Sequence, residues 1–378
     1  MRIAIDGRSL LGVRTGIGTY TYQLVRRFPS ISPDQQYIVF LNRQPSSGEL
    51  EALPEETSIT YRTPRLERLK WWFGWAQLYL PLAAHRAGSE VIFSPGTGGP
   101  YLPLQPLVVT VHDLSPLHFP QYFTARARRY WNWIVPANAR RAQVVLTISE
   151  YTKMDLCERL NIASDKVVVT HLAADPQFRP QSPERVLEVC LRLGLKPGFL
   201  LYVGTIEPRK NLPVLFRAIR LLLDRGVKLP PLVLAGWRGW LWEESVQAIR
   251  DLALTDHIRL LDYVPSEDLP ALYTAASLFT YVSVFEGFGL PPLEAMACGT
   301  PVVTSNCSSL PEVVGDAALL VDPNSPEEIA HAIDRGLHDT GLRLEMRERG
   351  LARAARYSWD ATARQTLAVL RSVAHHKD

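Results

Sequence analysis

Short apolar segments alternate with amphipathic helical segments along almost the whole chain, and this alternation limits the fold more than any other feature. The first half contains seven such apolar segments: RIAID, YIVFL, SITYR, EVIFS, LVVTVH, QVVLTIS and KVVVTH. The second half contains six: FLLYVGT, LVLAGW, IRLLDYV, LFTYVS, PVVTS and ALLVD. Strands that alternate with helices form parallel sheets covered on both faces, where near-continuous apolar strands belong. The sequence therefore predicts an α/β fold with one parallel sheet in each half.

The length of the chain indicates two domains. A chain of 378 residues exceeds what one ordinary core supports, and domains of roughly 150–200 residues are the default. Three prolines interrupt the pattern in DPQFRPQSPE, at residues 175–184. We therefore predict a Rossmann-like N-terminal domain at residues 1–177 and a Rossmann-like C-terminal domain at residues 178–345.

Two carboxylates, Glu286 and Glu294, flank the turn residues of the segment EGFGLPPLE. The apolar run before Glu286 predicts a buried strand, so Glu286 should lie just past its carboxyl end, where open α/β sheets bind ligands. Pro291 and Pro292 suit the first turn of a helix, which would place Glu294 in that turn. The amides at the start of this helix form the positive end of its dipole, which suits a ligand with phosphates and hydroxyls.

Arg209 and Lys210, in the segment YVGTIEPRKN, are predicted to begin a helix after a strand that ends at Gly204. Cations are unfavourable at a helix N-terminus, and a bound anion would reverse that effect. Arginine pairs bidentately with phosphate oxygens and lysine adds a point charge. The pair therefore predicts a diphosphate site, with a solvated surface pair as the alternative.

Gly16 and Gly18 lie between the first predicted strand and a helix, where a missing Cβ lets the backbone approach a diphosphate. Gly-Ile-Gly also occurs in NAD-binding turns, but the third glycine is missing and the second strand ends in Leu41-Asn42 without the expected acid. The dinucleotide-binding interpretation is therefore disfavoured.

His112 follows the predicted strand LVVTV and precedes Asp113. A histidine at this place either makes a structural hydrogen bond or contacts a substrate. Asp113 is adjacent, but neighbouring strand residues point to opposite faces, which argues against its orienting the ring.

Several of these segments together resemble the large retaining glycosyltransferase family with the GT-B fold, whose members carry an E-x7-E element followed by a G-x-P turn. The matching segments are TGIGTY, TVHDL, LTISEYTK, YVGTIEPRKN, DYVPSEDLPALY and EGFGLPPLEAMACGTP. The resemblance implies two Rossmann-like domains that face each other across a cleft, and a helical segment at residues 346–378 that packs back on the N-terminal domain. It also implies sugar transfer from a nucleotide sugar with retention of configuration, with the acceptor bound by the domain at residues 1–177 and the nucleotide sugar by the domain at residues 178–345.

The resemblance further implies roles for single residues. The catalytic residues are Glu286 and His112, which would contact the donor sugar. The residues for the donor diphosphate are Arg209, Lys210, Gly16, Gly18 and Gly204. The backbone amides for the sugar hydroxyls are those of Gly287, Phe288 and Gly289. The residues for the nucleoside are Glu294, at the ribose diol, with Val264 and Leu290 against base and ribose. Glu286 as a covalent nucleophile and front-face attack without one both remain open.

Among relatives, a TGIGTY start with a His-Asp dipeptide is common in mannosyltransferases of bacterial surface polysaccharides. We therefore expect mannose transfer from GDP-mannose to a saccharide or lipid-linked acceptor. The alternatives are a nucleotide-sugar epimerase of the same two-domain fold, an NAD-linked oxidoreductase and a non-catalytic nucleotide-sugar-binding protein. No Asp-x-Asp element occurs in the chain, so we expect no metal and no cofactor, with cations and amides in place of the ion.

Charge and hydropathy bear on partners and location. A net charge of +3 and the lack of a known module argue against nucleic-acid binding. No apolar stretch reaches the roughly 18–20 residues that span a bilayer, and the N-terminus has no cleavable signal, so we expect a cytoplasmic protein.

Two stretches combine basic and aromatic residues, RLERLKWWFGWAQLYLPL from Arg65 and ARARRYWNWIVPANARR from Ala125. A shared helical face is predicted for Trp71, Trp75, Leu78 and Leu82, and another for Arg126 and Arg129. Such helices indicate peripheral contact at the inner face of a membrane, or core helices with a solvated back.

Overall fold

The computed structural model describes residues 1–12, 16–51, 53–64, 74–96 and 98–375, apart from the side chains of Leu50, Arg126 and Ala127. The chain divides into two compact units: Met1–Leu172 together with the residues from Ser358 onward, and Ala173–Tyr357. The first break falls after Leu172 rather than after residue 177.

The first unit contains a seven-stranded parallel sheet in the order β3-β2-β1-β4-β5-β6-β7. Its strands are β1 Arg2–Asp6, β2 Gln36–Phe40, β3 Ile59–Arg62, β4 Val91–Ser94, β5 Leu107–Val111, β6 Val144–Thr147 and β7 Val167–Val169. Its helices before residue 172 are α1 Gly16–Val25, α2 Phe28–Ile31, α3 Ser47–Glu51, α4 Leu80–Arg86, α5 Ser115–His118, α6 Ala125–Arg141 and α7 Glu150–Leu160. A π-helical turn, Trp75–Tyr79, leads directly into α4.

The second unit contains a six-stranded parallel sheet in the order β10-β9-β8-β11-β12-β13. Its strands are β8 Leu200–Val203, β9 Leu232–Ala235, β10 Ile258–Asp262, β11 Leu278–Tyr281, β12 Val302–Ser305 and β13 Leu319–Val321. Its helices are α8 Pro183–Arg192, α9 Leu212–Asp224, α10 Trp242–Asp251, α11 Leu269–Ala275, α12 Leu290–Ala297, α13 Leu310–Val314, α14 Pro326–His338 and α15 Thr340–Ala354. The predicted α/β fold with a parallel sheet in each half is confirmed.

The last helix, α16 (Trp359–His375), packs on α1, α2 and the strands β4 to β6 of the first unit. Its buried face includes Trp359, Leu367 and Leu370. The preceding helix α15 packs instead on α12 and α14 of the second unit. The segment that joins the first unit therefore begins at Ser358 rather than at residue 346, because the apolar face of α15 is buried in the second unit.

Each sheet has a point where the strand order reverses. In the second unit this switch point lies between β8 and β11, and in the first unit between β1 and β4. Ligands of open α/β sheets bind outside the carboxyl ends of the strands at such points. The loops after β8 and β11 are therefore the first place to look for a site in the second unit. Within the described residues, no helix is long and apolar enough to cross a bilayer.

Candidate active site

Arg209 and Lys210 lie in the loop that follows β8, at the switch point of the second sheet. The prediction that they begin a helix is wrong, because Pro208–Lys210 form one 3-10 turn and α9 begins at Leu212. Asn211 lies between this turn and α9, and its left-handed φ of 59° separates the two helical segments. The side-chain amide of Asn211 donates through Nδ2 to the carbonyls of Val282 and Pro323, at 3.2 and 2.6 Å, which fixes the turn.

Glu286, in the loop that follows β11, lies between these two cations. Its Oε2 accepts from Arg209 Nη1 at 2.9 Å, and its Oε1 accepts from Lys210 Nζ at 2.6 Å. The side chains of Lys210 and Glu286 are buried. The structure thus brings together three residues that the sequence analysis assigned to one site, and it joins them by direct ion pairs.

Two further residues complete this cluster. Glu207 Oε1 accepts from Nε and Nη2 of Arg209, at 3.1 and 2.7 Å. The Tyr281 hydroxyl accepts from Lys210 Nζ at 2.7 Å and donates to Glu286 Oε1 at 2.9 Å. The sequence analysis missed both residues. The position of Glu207, two residues before Arg209, could have indicated it as a partner. Tyr281 could have been found as the last residue of the strand before Glu286.

The ionisation of the cluster follows from burial opposed by charge. Burial raises the pKa of Glu286, but the charges of Arg209 and Lys210 and the Lys210 hydrogen bond outweigh it, and the pKa falls to about 2. Burial, with the charge of Arg209, lowers the pKa of Lys210, and the two carboxylates oppose that shift. Glu286 is therefore a carboxylate at neutral pH.

Serine side chains and a glycine shape the loop that carries Glu286. The Glu286 amide donates to Ser308 Oγ at 3.0 Å, and Ser309 Oγ donates to the carbonyls of Glu286 and Phe288, at 2.9 and 2.8 Å. Gly289 precedes α12 with a φ of 110°, and a Cβ there would lie 2.7 Å from Leu310 Cδ2. Only glycine suits this position.

Glu294 lies apart from the cation cluster in its contacts. The prediction that Pro291 and Pro292 lie in the first turn of α12 is confirmed. The prediction that Glu294 lies in the same turn is wrong, because that turn contains no acidic residue. The helix begins at Leu290, which moves Glu294 into the second turn, where Tyr273 donates to its Oε2 at 3.1 Å. Desolvation, with the nearby charge of Asp175, raises the pKa of Glu294 to about 8.

The remaining predicted contacts of the second unit fall at the carboxyl edge of the same sheet. Phe288 is buried and packs edge-on against Tyr357, and Gly287 is buried beside it. Val264 is buried just past β10, and Leu290 is half-buried at the start of α12. Gly204 follows β8, and a Cβ on the neighbouring Gly236 would lie 2.1 Å from its carbonyl oxygen, so two chain segments meet closely here.

In the first unit, His112 is buried at the end of β5. Its Nε2 lies 2.7 Å from the carbonyl oxygen of Pro95, just past β4, and its ring meets Tyr20 edge-on. Because a carbonyl only accepts, Nε2 carries the proton and Nδ1 is the acceptor. Burial lowers the His112 pKa, against the carbonyl contact. Asp113 accepts instead from the backbone amide and hydroxyl of Ser115 and does not orient the ring.

Gly16 and Gly18 occupy the first turn of α1, which follows β1 at the other side of the first sheet's switch point. Gly16 is exposed and Gly18 is buried. Among the residues that the structure describes, none lies within 4 Å of the place where a Cβ on Gly16 would be. The backbone at Gly16 is therefore open to a ligand from solvent.

Described residues of the two basic and aromatic stretches line an open pocket in the first unit, together with residues near Tyr101. The pocket measures about 700 Å³, and its lining includes Leu78, Tyr101, Leu102, Trp133, Ile134 and Arg141. Leu102 and Trp133 are 68% and 76% exposed, and Arg141 lies over the Tyr101 ring. We call the exposed residues Leu78, Leu102 and Trp133, which line this pocket together, the apolar patch.

The predicted helical faces are only partly found in this patch. Trp75 is fully buried, and its Nε1 donates to the Leu41 carbonyl at 3.1 Å, whereas Leu78 and Leu82 are exposed, so the prediction that Trp75 shares a helical face with them is wrong. Leu78 and Leu82 are exposed together, in agreement with a shared face, and Arg129 is exposed on α6. Trp71 lies outside the described residues, as does the side chain of Arg126.

Within the described part of the chain, no group of three or more His, Cys, Asp or Glu side chains is arranged to hold a metal ion. What the second unit offers a ligand is the pair Arg209 and Lys210, which we call the cation pair. Guanidinium and ammonium groups held at a strand end stabilise negative charge on phosphate oxygens. The carboxyl group of Glu294 and the backbone groups of residues 287–289 are of the kinds that hydrogen-bond to hydroxyl groups.

Comparisons with known proteins agree with this arrangement. Residues 191–353 match the family model "Glycosyl transferases group 1", and residues 14–178 match "Glycosyltransferase Family 4". The chain is 42% identical over 274 residues to the O-antigen chain mannosyltransferase B of Escherichia coli, covering 71% of each chain. It is 33% identical over 264 residues to the serotype-specific mannosyltransferase WbdA of Escherichia coli; this covers 68% of the chain but only 32% of WbdA.

Among solved structures, the chain is similar to Anabaena HepE, which was crystallised with UDP and glucose. The TM-score is 0.75 at 21% sequence identity, and the match covers 98% of this chain and all of HepE. At that identity the likeness establishes the fold alone.

Proposed function

The chain belongs to the group 1 glycosyltransferases and has their GT-B fold, and we propose that it transfers mannose from GDP-mannose to a saccharide or lipid-linked saccharide in surface polysaccharide biosynthesis. The name of the 42% identical relative, an O-antigen chain mannosyltransferase that the chain matches over 71% of its length, supports the sugar and the pathway class. The two family models together reach from residue 14 to residue 353, so both units take part in the likeness.

The observation that carries the proposal is the cation pair at the switch point of the second sheet. Arg209 and Lys210 sit where α/β sheets bind phosphorylated ligands, on a turn fixed by Asn211. When a sugar leaves a nucleotide sugar, negative charge develops on the departing diphosphate. Fixed cations stabilise that charge without reorganising at the moment of reaction.

The remaining proposed contacts of the donor come from other loops at the same edge of the second sheet, together with Gly16 and Gly18 of the first unit. In this proposal Glu294 accepts hydrogen bonds from the ribose diol, and Val264 and Leu290 lie against base and ribose. Gly287, Phe288 and Gly289 hold the mannose hydroxyls through their backbone, beside Glu286. Gly16, Gly18 and Gly204 complete the diphosphate site.

His112 reaches the donor sugar from the first unit in this proposal. Since its Nε2 proton is used by Pro95, Nδ1 is the atom that accepts a hydrogen bond from a sugar hydroxyl. The low pKa of the buried ring keeps it neutral, as an acceptor requires.

For the chemical step we favour front-face attack over a covalent intermediate. Both oxygens of Glu286 are held by Arg209 and Lys210 in the structure, and front-face attack requires no covalent bond to this carboxylate. In front-face attack the acceptor oxygen bonds to the anomeric carbon on the side that the diphosphate leaves. A leaving phosphate oxygen then takes the acceptor's proton, so the enzyme supplies position and charge rather than a covalent group.

We also propose that the reaction needs no metal ion, since the cation pair meets the charge that a divalent ion otherwise neutralises. The apolar patch and the nearby Arg129, Arg140 and Arg141, all exposed, support peripheral contact with an anionic membrane surface. The inner face of the cell membrane is where we place the enzyme.

The test is a transfer assay with GDP-mannose and a panel of mannose-containing and lipid-linked acceptors. We expect GDP release only with an acceptor, an α-linked product by NMR from the α-linked donor, and unchanged turnover after exhaustive treatment with EDTA. Epimer formation without acceptor would instead identify an epimerase. Lost turnover that manganese restores would refute metal independence, and a UDP-sugar as the better donor would refute GDP-mannose.

A further inference from the structure

The free protein already holds a carboxylate where the donor diphosphate is proposed to bind. Both oxygens of Glu286 are used, one by each member of the cation pair, at 2.9 and 2.6 Å. The side chains of Arg209, Lys210 and Glu286 are 17%, 8% and 10% exposed, so water screens these contacts weakly. An anion that enters must replace a partner that is attached to the protein.

The charges of the cluster show which partner is replaced. Two cations face two carboxylates, Glu207 and Glu286, so the cluster is neutral as it stands. Glu207 takes the Nε and Nη2 side of Arg209 and does not contact Lys210. Glu286 takes Nη1 of Arg209 and the ammonium of Lys210, the two groups that one diphosphate would bridge.

We infer that Glu286 is an exchangeable internal counter-ion of the cation pair: it occupies the diphosphate site in the free enzyme, and the donor diphosphate displaces it while Glu207 stays on Arg209. This inference rests on the proposed function of the site. No covalent bond changes in the exchange, since two ion pairs to Glu286 give way to two ion pairs to phosphate oxygens. The displaced carboxylate is left beside the place proposed for the mannose.

The exchange has two consequences for the enzyme. A tethered carboxylate competes at a high effective concentration, so weak or singly charged anions do not occupy the site. In addition, Glu286 becomes available to the sugar only when a diphosphate has taken its place. Donor binding therefore releases the residue that the sugar needs, and a sugar without a diphosphate does not.

The test uses inorganic pyrophosphate, which lacks base, ribose and sugar, and measures its dissociation constant by calorimetry in the full-length protein. Removing one partner of a buried charge pair leaves the other unpaired. Glu286→Gln should therefore bind pyrophosphate about 10- to 100-fold more tightly than the wild type, because no internal anion competes. Its affinity should also fall more steeply with salt, since the site now carries a net positive charge.

The matched control is Glu188→Gln, the same change at a carboxylate of the second unit that is 60% exposed. It should leave pyrophosphate affinity within about twofold of the wild type. Glu286→Ala serves as a second variant if the Gln variant folds poorly, with circular dichroism and thermal melting to check folding. Affinity that is unchanged or weaker in a folded Glu286 variant overturns the inference.

The outcome separates this inference from the proposed function. If the wild type transfers mannose but the folded Glu286 variants gain no pyrophosphate affinity, the counter-ion role is wrong and the transfer stands. If the variants gain pyrophosphate affinity while the wild type turns over no sugar donor, the counter-ion role stands and the mannosyltransferase proposal is wrong.

Discussion

At the scale of single residues, two glutamates eight positions apart have opposite ionisation. The pKa of Glu286 is lowered to about 2, whereas that of Glu294 is raised to about 8. Burial raises the pKa of both carboxyl groups, so the difference lies in their neighbours: two cations contact Glu286, while Glu294 meets the Tyr273 hydroxyl and the charge of Asp175. The cations lie in the loop after β8, so the spacing of the two glutamates along the chain does not predict which of them meets the cations.

We predict that Arg209→Ala weakens binding of GDP by about 2–5 kcal/mol, because the diphosphate loses a buried charge partner and Glu207 is left unpaired. Titration calorimetry measures the change directly. The control is Arg225→Ala, which removes an exposed arginine of the same unit just past α9 and should change affinity little. Equal GDP affinity in Arg209→Ala and the wild type would refute the role of Arg209 in the diphosphate site.

A second prediction concerns pH and Glu294. Its pKa is raised from 4.5 to about 8 on folding, so the native state holds a proton that the unfolded chain has lost between these values. Its contribution to stability is therefore fully present below pH 4.5 and is lost as pH rises through 8, by up to about 1.4 kcal/mol per pH unit.

Glu294→Gln removes this titration while keeping the shape of the side chain. The free energy of unfolding of this variant, relative to the wild type, should rise steadily in urea titrations at pH 5, 6, 7 and 8. Glu188→Gln again provides the exposed control. Parallel stability curves for Glu294→Gln and the wild type across this range would contradict the raised pKa.

At the scale of elements, the site depends on how two helices begin. Both α9 and α12 are preceded by a left-handed residue, Asn211 in one case and Gly289 in the other. The break before α9 places the cation pair on a tight turn, and the break before α12 separates the Glu286 loop from the helix that carries Glu294. Helix starts set by single backbone angles thus decide which side chains meet.

We predict that Gly289→Ala lowers the free energy of unfolding by about 1–3 kcal/mol, because an alanine at a φ of 110° is strained and its Cβ meets Leu310. The variant should also lose GDP affinity, since the Glu286 loop must shift. Thermal melting and calorimetry measure both effects. Gly48→Ala is the control, because no atom of the described part of the chain lies within 4 Å of a Cβ at Gly48. Equal losses in the two variants would exclude backbone strain at Gly289 as the cause.

At the scale of the whole molecule, the chain leaves the first unit after Leu172 and returns to it at Ser358. The second unit is therefore one continuous segment, whereas the first needs both ends of the chain. The residues proposed for the diphosphate and the nucleoside belong to the continuous segment, except for Gly16 and Gly18.

This division predicts that a fragment of residues 173–357 folds alone and binds GDP, although more weakly than the full chain. A fragment of residues 1–172 should not fold stably, because it exposes the surface that Trp359, Leu367 and Leu370 cover, at about 1.5–3 kcal/mol for each such side chain. Thermal melting by circular dichroism and GDP calorimetry decide both points. A cooperative melt of residues 1–172 at the temperature of the full chain would show that α16 is dispensable.

The apolar patch gives a prediction for the intact enzyme at a surface. The wild type should sediment with vesicles that contain anionic phospholipid, less so at high salt, and Leu102→Ser with Trp133→Ser should abolish most of this binding. The control pair is Leu191→Ser with Trp240→Ser, two exposed apolar residues of the second unit. Equal binding by both double variants would place the membrane contact elsewhere.

How much of this was predictable depends on the range of the interactions. The strands and both parallel sheets follow from local apolar patterns, and Pro291 and Pro292 mark the helix of Glu294 correctly. The boundary at residue 346 was wrong because α15 packs by long-range contacts that its own sequence does not specify. Trp75 was misplaced because a π-helical turn changes the side of the helix that its side chain takes.

By itself the sequence determined the class of fold, the two sheets and the presence of cations and carboxylates at strand ends. These features follow from apolar patterns and turn residues, which depend on residues close together in the chain. Only the tertiary structure decided that Glu286 pairs with Arg209 and Lys210 and that Glu207 and Tyr281 join them. Those contacts form because β8 and β11 lie side by side at the switch point of the sheet. Strand order is a property of packing, and more than seventy residues of chain separate the groups that it brings into contact.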